Sequence, residues 1–211
     1  MKHISLILLA GGSGIRMGST IPKVFLPLKN RAMILHSFKL FFSMKEIAEI
    51  VVVCPKEYHS YFPSNTLFAP PGKERQDSVE NGFKKTTGEI ILIHDGARPF
   101  IKKEDVLKLL KEGIPIGAAT LGAPTKNTIK QVNHNSLVEK TLDRSILYEM
   151  YTPQLLKRDL LEKGLSAAKE KKLTDDVSLA ELIGHPVKIV TGSSRNIKIT
   201  HPIDLKLAEI L

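Results

Sequence analysis

An apolar run that leads directly into a glycine-rich turn near the start of the chain limits the possible folds more than any other feature. Ile4 to Leu9 is long enough to form one buried strand of a parallel sheet. The closely spaced glycines that follow let the backbone turn sharply and expose N–H groups to phosphate oxygens. Arg16 and Lys23 add two cations beside this turn. The segment therefore predicts a strand followed by a loop that binds a polyphosphate.

The spacing of this loop differs from two common phosphate-binding motifs. In a P-loop that starts at Gly18, Lys23 would occupy the place of the second glycine. The dinucleotide fingerprint Gly-x-Gly-x-x-Gly begins at Gly12 and Gly14 but meets Met17 in its third place. The pattern therefore argues against a P-loop NTPase and against a dinucleotide-dependent oxidoreductase.

The length of the chain favours one domain, spanning residues 1–211. Its hydropathy and cysteine content favour a protein of a reducing compartment. A chain of 211 residues is large enough for a substantial core. No apolar run approaches the roughly 20 residues that cross a bilayer, and the first residues lack a signal-peptide cleavage site. Cys54 is the single cysteine and lies in an apolar segment, which excludes an internal disulfide. We expect a cytoplasmic protein without a membrane partner.

The net charge of +9 suits an anionic small molecule better than a nucleic acid. Nucleic-acid binders concentrate their cations and interleave aromatic residues for stacking. Here the lysines and arginines are dispersed, tryptophan is absent and aromatic residues make up 6%. We therefore expect no nucleic acid as partner, and a local excess of cations near the glycine loop that attracts a polyanion.

Apolar strand-like runs alternate with helix-like segments along most of the chain. This order predicts an α/β fold with a Rossmann-like, mostly parallel sheet and helices on both faces. Ligands of such sheets bind beyond the carboxyl ends of the strands. The predicted strands are 4–10, 50–54, 89–94, 117–119 and 187–191, and the predicted helices include 34–42, 78–85, 106–110, 155–172, 177–183 and 202–211.

The segment from about 125 to 142 has a different pattern. Polar and apolar residues alternate around the turn-forming Asn133-His134-Asn135, which predicts a β-hairpin arm inserted into the α/β body. An isolated two-stranded hairpin is only marginally stable. We therefore expect the arm to pack on a second subunit.

A second chemical motif, His94-Asp95-Gly96-Ala97-Arg98-Pro99, follows a predicted buried strand. Asp95 is well placed to hold Mg2+, which binds through one or two carboxylates together with substrate phosphates. Arg98 could bind a phosphate through two hydrogen bonds, or the Asp–Arg pair could simply brace the loop. We expect His94 to be a hydrogen-bonded structural residue.

These segments resemble a known enzyme family. The pattern Ala-Gly-Gly-x-Gly-x-Arg-Met-Gly followed by Pro-Lys is similar to the signature loop of nucleotidyltransferases that join a nucleoside triphosphate to a sugar phosphate. With the later segments, the chain resembles the 2-C-methyl-D-erythritol 4-phosphate cytidylyltransferase family from Ile4 to its last helix. The further segments are Gly72-x-Glu74-Arg75-Gln76-Asp77-Ser78-Val79, 94–99, Thr141-Leu142-Asp143-Arg144, Thr152-Pro153-Gln154, Thr174-Asp175-Asp176 and Asn196-Ile197-Lys198-Ile199-Thr200.

The resemblance implies roles for individual residues. It makes Arg16, Lys23 and Lys198 catalytic cations, with Arg16 and Lys23 on the triphosphate. It implies Mg2+, or another divalent cation, at Asp95. It also implies a homodimer in which Thr128 and Arg144 reach the neighbouring site. The residues implied to hold cytosine and ribose are Ala10, Gly11, Gly12, Ser13, Gly14 and Ser78, and those implied around the sugar phosphate and the α-phosphate are Asp95, Arg98, Thr128, Arg144, Thr152 and Lys198.

Several of these residues have simpler interpretations. Ser78 and Thr152 could each cap a following helix, and Lys198 could be a solvated strand residue. Asp175 and Asp176 are expected to cap the next helix and fix a loop rather than to form a catalytic acid pair.

Two positions depart from the family pattern. Arg195 stands where relatives often carry an acidic residue that assists the metal, and Lys73 stands in a loop that is acidic in some relatives. Asp95 is then the main carboxylate for a divalent cation, which would be held chiefly by triphosphate oxygens and water.

The resemblance implies attack by the phosphate of 2-C-methyl-D-erythritol 4-phosphate on CTP, with release of pyrophosphate, in the non-mevalonate route to isoprenoid precursors. A ribitol-5-phosphate cytidylyltransferase is the nearest alternative, because that family shares most of these motifs. A nucleotide-binding module without catalysis is an alternative of a different class.

Overall fold

A twisted, mostly parallel sheet forms the centre of the molecule. The computed structural model describes residues 3–12, 21–169 and 171–211. The strands are β1 Ile4–Leu9, β2 Pro27–Leu28, β3 Arg31–Ala32, β4 Glu49–Val53, β5 Leu67–Ala69, β6 Ile90–Asp95, β7 Ala118–Pro124, β8 Lys130–Val132, β9 Val138–Thr141, β10 Tyr148–Lys157 and β11 Lys188–Thr191. The helices are α1 Ile34–Phe42, α2 Arg75–Phe83, α3 Lys103–Ile116, α4 Arg158–Ala167, α5 Ser178–Leu182 and α6 Pro202–Ile210.

The strand order of the seven-stranded sheet is β11-β7-β10-β6-β1-β4-β5. Strand β1 is parallel to both β4 and β6, and β11 is parallel to β7. Strand β10 lies between β6 and β7 and is antiparallel to both. The predicted α/β sheet is confirmed, with one antiparallel strand near its middle.

Side chains of the sheet alternate between two apolar cores, because successive residues of a strand point to opposite faces. Leu6 and Leu8 of β1 belong to the core that also contains Phe41 of α1 and Leu109 of α3. On the other face, Ile7 packs in the core that includes Val79 of α2, Leu161 of α4 and Leu179 of α5. Helices therefore cover both faces of the sheet, as predicted.

The largest error of the sequence prediction lies at β10. The helix predicted for 155–172 is wrong over its first residues, because the chain is strand until Lys157 and α4 runs only from Arg158 to Ala167. The leucines at 155, 156, 160 and 161 fit a helical repeat, which hides the change from strand to helix. Residues 152–156 are instead buried between two neighbouring strands.

Smaller differences concern the ends of elements. Helix α2 begins at Arg75, three residues before the predicted start, and β7 continues to Pro124 beyond the three residues predicted. Within the described residues, none of the helices is long and apolar enough to cross a membrane.

Strands β8 and β9 form the predicted hairpin arm. The side chain of Asn133 stabilises its turn, because Oδ1 accepts hydrogen bonds from the N–H groups of Asn135 and Leu137. All residues of the two strands are exposed. The arm therefore makes almost no use of the core of its own chain.

Candidate active site

The site lies where the carboxyl ends of β1 and β6 meet. Leu9 and Asp95 are register partners at these ends, and the N–H of Gly96 donates to the Leu9 carbonyl at 2.9 Å. The loops that follow the two strands open into a cavity of about 490 Å³. Its walls comprise Leu9, Ala10, Gly11, Gly12, Lys23, Val24, Gly72, Lys73, Glu74, Arg75, Ser78, Asp95, Gly96, Ala97 and Lys198.

This cavity gathers many of the residues predicted to bind the nucleotide. Ala10, Gly11, Gly12, Ser78 and Lys23 all line it. Ser13, Gly14 and Arg16, which were predicted to complete the loop, lie outside the described residues. The nucleotide-binding roles stay predictions.

Close contact between the loop before α2 and the start of that helix shapes one wall. A Cβ atom at Gly72 would lie 2.1 Å from the Asp77 Cβ, so only glycine fits there. The Ser78 hydroxyl accepts a hydrogen bond from the Gly72 N–H at 2.9 Å. Ser78 does not cap the helix, which begins earlier: Asp77 Oδ2 accepts from the Glu74 N–H at 2.9 Å. The alternative interpretation of Ser78 as a helix cap is therefore wrong.

Cations surround the carboxylate of Asp95. Its Oδ1 accepts hydrogen bonds from Nε and Nη2 of Arg75, both at 3.2 Å. Its Oδ2 lies 2.7 Å from Lys198 Nζ and 4.0 Å from Arg98 Nε. Burial acts to raise the pKa of Asp95, but the charges of Arg75, Lys198 and Arg98 outweigh it and hold the pKa well below its ordinary value. Asp95 is therefore ionised at neutral pH.

Arg75 is a residue of the site to which the sequence analysis gave no role. Its Nη1 and Nη2 each donate to one carboxylate oxygen of Asp176 at 2.6 Å, while its other edge faces Asp95. Burial acts to lower the pKa of Arg75, but Asp176 and Asp95 raise it above its ordinary value. The available signal was its place in the segment 72–79, which carried the family resemblance without giving Arg75 a role.

The two neighbouring aspartates have separate structural contacts. Asp176 is 3% exposed and binds Arg75. Asp175 Oδ1 accepts a hydrogen bond from the Ser178 N–H at the start of α5. These contacts agree with the expectation that the pair caps a helix and fixes a loop.

Strand β10 binds the backbone of Asp95 through Thr152. The Thr152 hydroxyl accepts a hydrogen bond from the Asp95 N–H at 3.1 Å and lies 3.0 Å from His94 Nδ1. His94 Nε2 faces the Arg98 carbonyl at 3.2 Å, which assigns the ring proton to Nε2 and makes Nδ1 the acceptor for Thr152. Thr152 lies within a strand, so its alternative interpretation as a helix cap is wrong. Its contact with substrate stays a prediction.

His94 is a structural residue, as expected. It is fully buried, and burial lowers its pKa to about 4. The imidazole is therefore neutral at physiological pH and bridges β6, β10 and the loop that carries Arg98.

Gln154 connects the same strand to the loop of the two aspartates. Its Oε1 accepts hydrogen bonds from the N–H groups of Asp176 at 2.7 Å and Val177 at 3.2 Å. Its Nε2 donates to Asp175 Oδ2 at 3.1 Å. Strand β10 thus fixes Asp95 directly through Thr152 and indirectly through Gln154, Asp176 and Arg75.

Arg98 is nearly buried and is held by backbone carbonyls. Nη1 donates to the Asn196 carbonyl at 2.7 Å and Nη2 to the Met150 carbonyl at 3.2 Å. Its guanidinium lies over the ring of Tyr151 at 5.1 Å. Burial lowers the pKa of Arg98, and Asp95 opposes that shift. Arg98 therefore braces β10 against the segment that carries Lys198.

A second cavity, of about 380 Å³, adjoins the first. Lys198 lines both, which places this residue at their boundary. The remaining walls are Arg98, Ala123, Pro124, Lys126, Glu149, Met150, Tyr151, Ser194 and Ile197.

Two predicted substrate residues are absent from the walls of both cavities of their own chain. Thr128 and Arg144 are exposed in or beside the arm, and neither lines either cavity. Arg144 Nη1 donates to the Lys126 carbonyl at 3.1 Å. Their substrate-binding roles stay predictions that require a second subunit.

The protein's own donors for a metal ion are few. The described residues contain no group of three or more His, Cys, Asp or Glu side chains able to hold a cation. Asp95 supplies one carboxylate, and both of its oxygens contact cationic side chains. This donor set fits a cation that is held mainly by substrate phosphates.

Comparisons with known proteins agree over nearly the whole chain. Residues 4–211 match the model of the family described as IspD, 2-C-methyl-D-erythritol 4-phosphate cytidylyltransferase. The chloroplastic enzyme of that name from rice is 48% identical over 221 residues, covering 100% of this chain and 74% of the rice protein. The Chlamydia pneumoniae enzyme is 45% identical over 214 residues, covering 100% of both chains.

Solved structures lead to the same family. The crystal structure of 4-diphosphocytidyl-2C-methyl-D-erythritol synthase from Anaerococcus prevotii superposes with a TM-score of 0.88 at 29% identity, covering 99% of this chain and 95% of that one. The 2-C-methyl-D-erythritol 4-phosphate cytidylyltransferase from Thermus thermophilus gives 0.83 at 28% identity, with coverage of 99% and 98%.

The buried neutral His94 predicts a loss of stability in weak acid. Unfolded histidine takes up a proton near pH 6.5, whereas the folded residue resists protonation down to about pH 4. Between pH 7 and pH 4.5 the unfolded state therefore binds more protons, and the free energy of unfolding should fall by about 2 to 3 kcal/mol. Urea unfolding at a series of pH values measures this change.

A histidine variant isolates this contribution. His94→Asn should lower stability at pH 7 and flatten the dependence between pH 7 and pH 4.5. His134→Asn, in the exposed turn of the arm, should keep the wild-type dependence. Parallel curves for wild type and His94→Asn would contradict the assignment.

Proposed function

Because the chain belongs to the 2-C-methyl-D-erythritol 4-phosphate cytidylyltransferase family, we propose that its reaction takes place where the two cavities meet at Lys198. The chain is a nucleotidyltransferase that transfers the cytidylyl group of CTP to 2-C-methyl-D-erythritol 4-phosphate in isoprenoid biosynthesis. The match over residues 4–211 carries this conclusion and favours it over ribitol 5-phosphate transfer and over a binding module without catalysis.

The arrangement of cavities supports a division between two substrates. CTP occupies the first cavity, with its base and ribose near Ser78 and the backbone at 10–12 and its triphosphate near Lys23. The roles expected of Ser13, Gly14 and Arg16 fall outside the described residues. The acceptor occupies the second cavity, with its phosphate near Arg98 and Lys198. Support comes from Lys198, which borders both cavities and can contact the α-phosphate and the acceptor phosphate together.

The reaction needs charge stabilisation more than proton transfer. An acceptor phosphate oxygen forms a bond to the α-phosphorus, the bond from that phosphorus to the bridging oxygen breaks, and pyrophosphate leaves. A phosphate monoester has its second pKa near ~6, so the nucleophile is largely ionised at pH 7 without a general base. Two anions must approach each other, and positioned cations lower that barrier. Lys23, Lys198 and Arg16 are proposed for this role.

A divalent cation, with Mg2+ as the first choice, is part of the proposal. Asp95 would hold it through Oδ2, the oxygen that Lys198 contacts, because Arg75 on Oδ1 is also fixed by two hydrogen bonds of 2.6 Å to Asp176. When bound, the cation would neutralise negative charge on the phosphate oxygens. Arg195 precedes the segment that carries Lys198, so this part of the sequence offers a cation and no second carboxylate.

A homodimer formed through the arm is proposed on the exposed apolar side chains of that segment. Leu137 and Val138 are 63% and 61% exposed, and Ile146 is 76% exposed. Burying such side chains against a second copy is favourable. In the dimer, Thr128 and Arg144 would approach the partner's acceptor cavity, which would account for their absence from the cavity walls of their own chain.

A cytoplasmic or otherwise reducing location is proposed on the cysteine content. Cys54 is the single cysteine and is buried, and burial raises its pKa to about 12. The thiol is therefore protonated and unreactive, and oxidation contributes nothing to the fold.

Pyrophosphate release tests the reaction. With CTP and Mg2+, we expect release with 2-C-methyl-D-erythritol 4-phosphate and a much lower specificity constant with ribitol 5-phosphate. Product identity is checked by mass spectrometry. Preference for ribitol 5-phosphate would overturn the acceptor, and CTP binding without release from either acceptor would indicate a binding module.

Sedimentation velocity tests the dimer. The wild-type protein should sediment as two chains, whereas Leu137→Asp combined with Val138→Asp should give one chain with reduced turnover. Ile203→Asp, at an exposed isoleucine of α6 outside the arm, provides a matched control that should leave the dimer intact. A wild-type monomer with full activity would contradict the proposal.

A further inference from the structure

The second cavity contains one carboxylate among several cations. Glu149 lines it together with Arg98, Lys126 and Lys198. Glu149 lies on β10, opposite Ala123 of β7 and closer to the arm than Thr152. The sequence analysis gave this residue no role.

The carboxylate of Glu149 remains available to a ligand. Its hydrogen bond is a long one, from the Thr125 hydroxyl at 3.5 Å, and the side chain is exposed. Within the described part of the chain, Glu149 forms no ion pair, although three cationic residues share its cavity. An acidic group that is left unpaired beside cations has a strong capacity to accept hydrogen bonds from a bound molecule.

The cavity therefore carries charges of both signs. Lys198 and Arg98 both approach Asp95 Oδ2, at 2.7 and 4.0 Å, and Lys198 also lines the nucleotide cavity. Glu149 lines only the second cavity, where Lys126, the residue after Thr125, is the third cation of the wall. The pKa of Tyr151 reflects this arrangement, because burial and then the charge of Glu149 raise it while Arg98 opposes them.

A polyol phosphate matches this polarity in one orientation. Its phosphate is attracted to Arg98 and Lys198 and repelled by Glu149. Its hydroxyl groups can donate hydrogen bonds to a carboxylate, which a phosphate dianion cannot do. The reversed orientation would bring two anions together, the phosphate and the Glu149 carboxylate.

We infer that Glu149 is a specificity-determining residue that accepts hydrogen bonds from hydroxyl groups of the acceptor and orients its phosphate toward Lys198. The inference rests on the proposed function, since it assigns the second cavity to the acceptor. It concerns the polyol end of that molecule and not the transfer step.

Replacing Glu149 should weaken the binding of the acceptor. It should not weaken the binding of a phosphate that has no hydroxyl groups. In Glu149→Ala, KM for 2-C-methyl-D-erythritol 4-phosphate should rise at least about tenfold, because a hydrogen bond to a charged group is lost. The inhibition constant of methyl phosphate, measured against the acceptor, should stay equal or fall, because repulsion is removed. The KM for CTP and kcat at saturation should change little.

Two further variants separate this role from a structural one. Glu149→Gln keeps a hydrogen-bond acceptor and removes the charge, so its KM should lie between those of wild type and Glu149→Ala. Glu162→Gln, at an exposed glutamate of α4, makes the same change in net charge outside the cavities and should behave as wild type.

The outcomes are distinguishable from a failure of the proposed function. A wild-type enzyme that does not turn over the methylerythritol substrate would overturn the proposed function, and calorimetry with the same two ligands would then decide the role of Glu149. Equal changes for both ligands, an unchanged KM, or a loss of the dimer as the main effect of Glu149→Ala would overturn the inference.

Discussion

The arrangement of the site depends on the carboxylate of Asp95, whose two oxygens are held by different cations. Arg75 fixes Oδ1 and Lys198 contacts Oδ2, while Arg98 lies slightly farther away. An unpaired charge at this depth would cost about 3 to 5 kcal/mol, so Asp95 keeps these cations close together despite their mutual repulsion. The result is a group of positive charges at the boundary of two cavities, where two phosphate groups can meet.

The antiparallel strand β10 connects this charge arrangement to the fold. Thr152 binds the backbone of Asp95, and Gln154 holds the loop that carries Asp176, the second partner of Arg75. The same strand provides the Met150 carbonyl for Arg98 and places Glu149 in the wall of the second cavity. A shift of β10 against β6 would therefore move both sides of the site together.

Local patterns in the sequence were sufficient for part of this account. The glycine loop after β1 and the motif around Asp95 each directly follow an apolar strand, so their meeting at one sheet edge could be predicted. The ion pair between Arg75 and Asp176 could not be predicted, because the two residues are far apart in the chain. The strand that holds the Asp176 loop in place, β10, was hidden as well, because its leucines fit a helical repeat. Gln154 was missed for the same reason: its role depends on neighbours that only the sheet order brings together. The hairpin could be predicted because the alternation of polar and apolar residues around its turn is a local pattern.

The most direct test of the account replaces the lysine at the boundary. Lys198→Met removes the charge and keeps a similar length. We expect turnover to fall at least about 100-fold, as for loss of one group that stabilises transition-state charge, while the melting temperature and the affinity for CTP are largely kept. Lys206→Met, at an exposed lysine of α6, is the matched control and should behave as wild type. Turnover close to wild type in Lys198→Met would contradict the placement of the reaction at the junction of the two cavities.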